Sequence, residues 1–151
     1  MVQRSLSGSD QPVRYSFNKN EILRGEKQYQ RIIYSGKVIS IGMIQCYFIL
    51  DKNLDTSSRP VMRVGFSVPR RRVRKAVDRN RLKRLLRESF RIHKPMLVEQ
   101  LHKNQVHLDV LIMYRGRSSR KPRHTKLAEV LPDMIRLVEL LSGRIKAGSE
   151  K

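Results

Sequence analysis

Apolar positions along this chain follow two different spacings. Tyr29, Ile32 and Ile33 stand at i, i+3 and i+4, the spacing of one helix face, and predict a helix from about Glu26 to Ser35. Gly25 takes its N-cap position and Gly36 fits a C-terminal stop. The stretch KVISIGMIQCYFIL at 37–50 changes to the two-residue period of a strand, with Gln45, Tyr47 and Ile49 on one face and a bend at Gly42. After a turn-rich loop at 51–60, VMRVGFSV at 61–68 reads as the next strand, with Met62, Val64, Phe66 and Val68 on one side. Pro69 has no N–H for a ladder and ends it. Residues 37–68 therefore read as antiparallel strands joined by a loop.

A helix begins near Val77 or Asp78 and fades before Pro95, because the residue ahead of a proline disfavours the α conformation. On a wheel of about 100° per residue, Leu82, Leu85, Leu86, Ser89, Phe90 and Ile92 share one broad arc. Asn80, Lys83, Arg84, Arg87 and Arg91 take the opposite arc, with Arg81 just past its edge and Arg79 beside the apolar arc. HLDVLIMY at 107–114 reads as another strand. A final helix over 127–142 puts Leu127, Val130, Leu131, Ile135, Val138 and Leu141 near one side, with Pro132 tolerable in its first turn or as a kink. The order is α-β-β-β-α-β-α, an α+β fold with a mainly antiparallel four-stranded sheet.

Length and composition narrow the function classes. The chain has 151 residues, enough for one domain over 17–142, between a flexible Ser/Gly-rich tail at 1–16 and a frayed end at 143–151. Its 33 Lys and Arg against 13 Asp and Glu give a formal charge of +20. A compact fold with that charge repels itself unless a polyanion joins it. Against a membrane surface stand the absence of Trp and of an apolar face backing the basic residues. No apolar run is long enough to span a bilayer and the start of the chain lacks a signal peptide, so a cytoplasmic protein is expected. Cys46 is the only cysteine, which leaves no disulfide framework and no cysteine-based zinc site and points to a core or half-buried residue.

The charge concentrates at 70–91, where eleven basic residues meet only Asp78 and Glu88. Solvated helix faces usually mix signs to gain i,i+4 pairs. Here Lys83 precedes Arg87, and Arg87 precedes Arg91, at that spacing. Leucines that anchor a helix and arginines that line its other side describe a polyanion-binding face. The preference for arginine suits phosphate forks and stacking on bases, and an exposed tyrosine on a neighbouring sheet suits single-stranded or structured RNA. The basic loop RGRSSRKPRHTK at 115–126 fits RNA contact and mere solubility equally well. Nothing marks a self-sufficient nuclease. His93, His102, His107 and His124 are scattered, and Asp51, Asp55 and Asp109 have no evident convergence.

The stretch FSVPRRRVRKAVDRNRLKRLLRESFR resembles the signature of the bacterial ribonuclease P protein subunit. Its centre, Arg79-Asn80-Arg81-Leu82-Lys83-Arg84-Leu85-Leu86-Arg87, is similar to that family's R-N-R-x-K-R-x-x-R. Tyr29 to Gly36 resembles its F-x-x-V-F-x-x-G helix, and Asp109 to Tyr114 its fourth strand. The resemblance runs from about Leu23 to Leu141 and implies a left-handed crossover at the basic helix. It also implies a monomeric protein bound 1:1 to a catalytic RNA, which with its Mg²⁺ removes the 5′ leader of precursor tRNA. The protein itself would hold no cofactor and no catalytic residue. Arg70, Arg71, Arg81, Lys83, Arg84, Arg87 and Arg91 would face the catalytic RNA. Tyr29, Ile33 and Tyr47 would line a leader cleft, with Arg79 and Asn80 at its rim. Phe66 would serve that cleft or the core, with core favoured. Ile33 replaces a usual Phe, Arg72 stands as an extra residue, Arg74 replaces a frequent Gly and Pro69 a common Ser. A ribosomal or chaperone-like RNA binder is the rival class.

Overall fold

The computed structural model describes residues 17, 19–52, 60–116 and 125–149. The expected tail at 1–16 and most of the loops at 51–60 and 115–126 lie outside the described residues. After a 3-10 turn at Lys19–Glu21 come α1 (Glu26–Ser35), β1 (Lys37–Ile41), β2 (Ile44–Asp51) and β3 (Met62–Ser67). Then follow α2 (Ala76–Arg91), α3 (Lys94–Asn104), β4 (His107–Tyr114) and α4 (Leu127–Ser149).

The strands form one sheet in the order β1-β2-β4-β3. The sheet is mixed. β1 with β2 and β2 with β4 are antiparallel, as expected, but β3 runs parallel to β4. The 61–68 strand is therefore not the neighbour of 37–50, because β4 lies between them, with Leu111 opposite both Tyr47 and Gly65. β4 is buried along almost its whole length, and a strand apolar on both sides belongs inside a sheet. The parallel pair needs a long crossover, which α2 and α3 provide.

α3 is the element the sequence reading missed. Pro95 sits in its first turn, where a missing N–H leaves no bond unmade, and Leu97 and Leu101 are buried. It ends on Gln105 in the left-handed conformation, φ 55°. The C-terminal end differs too. α4 runs to Ser149, so 143–149 is helix rather than frayed tail, and Ile145 is buried. Its apolar face is turned from the expected one. Met134 and Leu137 join Val130, Val138 and Leu141 inside, while Ile135 is exposed. Pro132, its sixth residue, lies in the second turn.

Two glycines mark close approaches around β1 and β2. Gly36 is extended rather than left-handed, and a Cβ there would lie 2.4 Å from the Ile32 carbonyl oxygen and 3.0 Å from that of Phe48. Gly42 has φ 53°, and its Cβ would meet the Asp133 carboxylate. That carboxylate accepts the Met43 N–H at 3.1 Å and pins the hairpin tip to α4.

The sheet thus has helices on both faces. The larger core lies between one face and α2, α3 and α4, and contains Cys46, Phe48, Val64, Val110 and Ile112. A smaller cluster under α1 joins Leu23, Ile32 and Leu111, with Tyr29, Tyr47, Ile49 and Met113 against it. No helix among the described residues is long and apolar enough to cross a membrane.

Candidate RNA interface

The wheel over α2 is realised closely. Leu82, Leu86, Ser89 and Phe90 are buried and Leu85 is half-buried, whereas Asn80, Arg84 and Arg87 are exposed. Ile92 lies past the end of the helix and is exposed, so it does not extend the apolar arc. Arg81, Arg84, Leu85, Arg87 and Glu88 line a shallow depression of about 480 Å³ on the outer side. The other basic residues are less alike than the wheel suggests. Arg81 is half-buried and donates to the Thr125 carbonyl. Arg91 donates from Nε to Glu88 at 3.0 Å, and a hydrogen bond from Arg91 holds the Glu88 carboxyl below its ordinary value. Lys83 is half-buried.

Before α2 the chain makes a compact turn. The Pro69 carbonyl accepts the N–H of both Arg72 and Val73, and buried Val73 plugs the turn into the core. Arg70, Arg71 and Arg72 all stand exposed on it. Arg79, expected at the cleft rim, instead caps this turn. Its guanidinium donates to the carbonyls of Val73 at 3.0 Å and Arg74 at 2.6 Å.

The residues expected to line a leader cleft lie on the α1 side of the sheet. Tyr29 and Tyr47 are half-buried there and Ile33 is on the exposed side of α1. Gly65 lets Tyr29 lie against β3, since a Cβ would come 2.9 Å from the phenol oxygen. Burial raises the Tyr29 phenol above its ordinary value, and the charge of Arg87 acts in the opposite direction. Phe66 belongs to the other face, the core alternative. Its ring stands 6.0 Å from those of both Phe17 and Phe90. Arg87 lies over the Phe66 ring at 5.8 Å, which ties the exposed side of the basic helix to β3.

A second polar constellation was not foreseen. Asp109 is buried beneath α1, with a side chain 1% exposed. One carboxylate oxygen accepts from Arg63 Nε at 2.9 Å and faces His107 Nε2 at 2.7 Å. The other accepts from Arg31 at 2.9 Å and from Arg63 at 3.0 Å. Burial by itself would raise the Asp109 carboxyl, but the bonds from His107, Arg63 and Arg31 outweigh it and hold the group far below the usual carboxylate range. His107 Nδ1 lies 2.7 Å from the Pro60 carbonyl oxygen, so both of its ring nitrogens face acceptors. The one visible signal was the i, i+2 spacing of His107 and Asp109, which shares a face on a strand. Among the described residues, no three His, Cys, Asp or Glu side chains gather to hold a metal ion. Asp109 does not fit one either, because its lone pairs are already committed.

Comparison with known proteins agrees with this geometry. The family described as Ribonuclease P matches residues 17–138. The ribonuclease P protein component of Chlorobium phaeobacteroides is 31% identical over 133 residues, covering 83% of this chain and 91% of that protein. That of Chlorobaculum tepidum is 29% identical over 131 residues, covering 84% of each. Among solved structures, the RNase P protein of Thermotoga maritima superposes with a TM-score of 0.59 at 24% identity, over 78% of this chain and 94% of that one. The Staphylococcus aureus protein gives 0.58 at 20% identity, over 82% and 96%, which supports the fold. With the family match spanning most of the sequence, the RNR helix in place and the fold shared, this chain belongs to the ribonuclease P protein family.

Proposed function

We infer that this chain is the RNA-binding subunit of ribonuclease P, and that it promotes removal of the 5′ leader from precursor tRNA while the RNA carries out the chemistry. The observation that carries this reading is the basic face of α2, where Arg84 and Arg87 stand exposed opposite buried Leu82, Leu86 and Phe90, in a chain that matches the ribonuclease P family over residues 17–138. The outer side of α2 and Arg70 to Arg72 supply positive charge for the catalytic RNA, one protein to one RNA. Tyr29 and Tyr47, with Ile33 on the same helix as Tyr29, offer a stacking surface for an unpaired leader base, and Asn80 of α2 serves the same leader. Mg²⁺ is held by the RNA, where it serves the hydrolysis. By neutralising phosphates where strands crowd, the protein lowers the Mg²⁺ needed.

The test is cleavage of a precursor tRNA at low Mg²⁺ by the protein alone, by a matched bacterial ribonuclease P RNA alone, and by both. Cutting at the leader junction only in the mixture is expected. A mixture no better than RNA alone, with folded protein, would refute the reading. Tyr47→Ala is expected to reduce the preference of the holoenzyme for leader-bearing over mature tRNA. Equal effects on both substrates would remove the tyrosines from the leader site.

A further inference from the structure

Ile32 anchors α1 to the sheet, and at about 100° per residue the helix presents two flanks about 80° to either side of it. Tyr29 and Ile33 share one flank. Arg31 and Ser35 share the other, and there Arg31 meets Asp109 and Arg63. The Asp109 carboxylate is fully engaged, with two nitrogens facing each oxygen. The guanidiniums are not. Arg31 uses one N–H on Asp109 and Arg63 uses two, of the five that each carries. Their side chains are 45% and 20% exposed, so the remaining donors reach solvent. Two arginines on one carboxylate leave one positive charge in excess, and the His107 ring packs on the same group at 2.7 Å. A tie between α1 and the sheet would need only one of them.

We propose that Arg31 and Arg63, oriented by Asp109, form an RNA phosphate site on the flank of α1 opposite Tyr29 and Ile33. A carboxylate that fixes two guanidinium forks removes the rotamer entropy that a lone surface arginine loses on binding. The basic surface continues beyond this pair. Ser35 and Ile49, the latter opposite Asp109 in the sheet, line a cavity of about 600 Å³ with Lys37, Lys52 and Arg144. The ligand is a phosphodiester of a strand passing behind α1, from the catalytic RNA or from the precursor leader. The proposal rests on the ribonuclease P reading and adds a second contact surface to it.

The experiment compares the full chain with Arg31→Gln, Arg31→Lys and the double variant Arg84→Ala/Arg87→Ala. Affinity is measured against salt for the ribonuclease P RNA alone, and for the holoenzyme with leader-bearing and mature tRNA. Arg31→Gln is expected to lower the slope of log K against log salt by about one in a single arm, and Arg31→Lys to keep it. A change in the first arm assigns the phosphate to the catalytic RNA. A change confined to leader-bearing substrate assigns it to the leader. Unchanged slopes in every arm would overturn the site, and lowered melting beside them would mark Arg31 as a structural tie alone. If the α2 variant also left every slope unchanged, the assignment of the basic helix would fail separately.

Discussion

At the scale of single residues, Asp109 decides the most. Its folded carboxyl titrates below its unfolded value, so its contribution to stability is present above about pH 4 and is lost as pH falls toward the folded value. Asp109→Asn leaves Arg31 and Arg63 facing a poorer acceptor. It is expected to destabilise the protein at pH 7 by on the order of 3 kcal/mol, with the gap to the parent narrowing below about pH 4 in denaturant titrations. A gap independent of pH would show that the lost charge is not the cause. The cluster was hidden from sequence reasoning because its arginines stand 78 and 46 residues from Asp109 along the chain. Gly65 was more legible. An isolated glycine within a strand signals close approach, and here the Tyr29 phenol approaches.

At the scale of the element, α2 shows what periodicity can and cannot reach. Three-residue and four-residue spacing separated buried Leu82, Leu86 and Phe90 from exposed Arg84 and Arg87. It did not reveal that Arg79, Arg81 and Arg91 have partners inside the fold, since those partners belong to the crossover turn, to Thr125 and to the same helix. The two faces should therefore respond in opposite ways. Leu86→Ala is expected to lower stability by about 2–5 kcal/mol, read by thermal or urea unfolding. Arg84→Ala/Arg87→Ala should leave unfolding nearly unchanged and reduce the salt slope for catalytic RNA by about two. Pro95 taught the converse lesson. The same residue that stops one helix starts the next, and the interrupted pattern hid α3.

At the scale of the whole molecule, an α+β sandwich was legible because the first strands and most helices carried their own period and β4 a short apolar run. Neighbourhood was not, since period says nothing about which strands pair. The insertion of β4 between β2 and β3 follows from its burial on both faces, a property of the assembled sheet. The length of α4 is likewise set by tertiary contact, through buried Ile145. Ending the chain after Ser142 should lower stability by about 2 kcal/mol through loss of that side chain, measured by thermal unfolding, whereas a frayed end would be removed without effect.

The parallel pairing of β3 with β4 has a consequence in time. α2 lies wholly within the connection between these strands, and Asp109, which ties Arg31 to Arg63, lies on the later one. A chain growing from its N-terminus completes β3 and the basic helix long before β4 exists to receive them. Its arginines are then presented by an unclosed loop without fixed spacing. Only when residue 114 has been made can the sheet close, the Phe66 side of β3 settle against α2 and the guanidiniums take their final separations. The newborn protein thus carries its charge from early in synthesis, but acquires the shape that an RNA can recognise late and all at once.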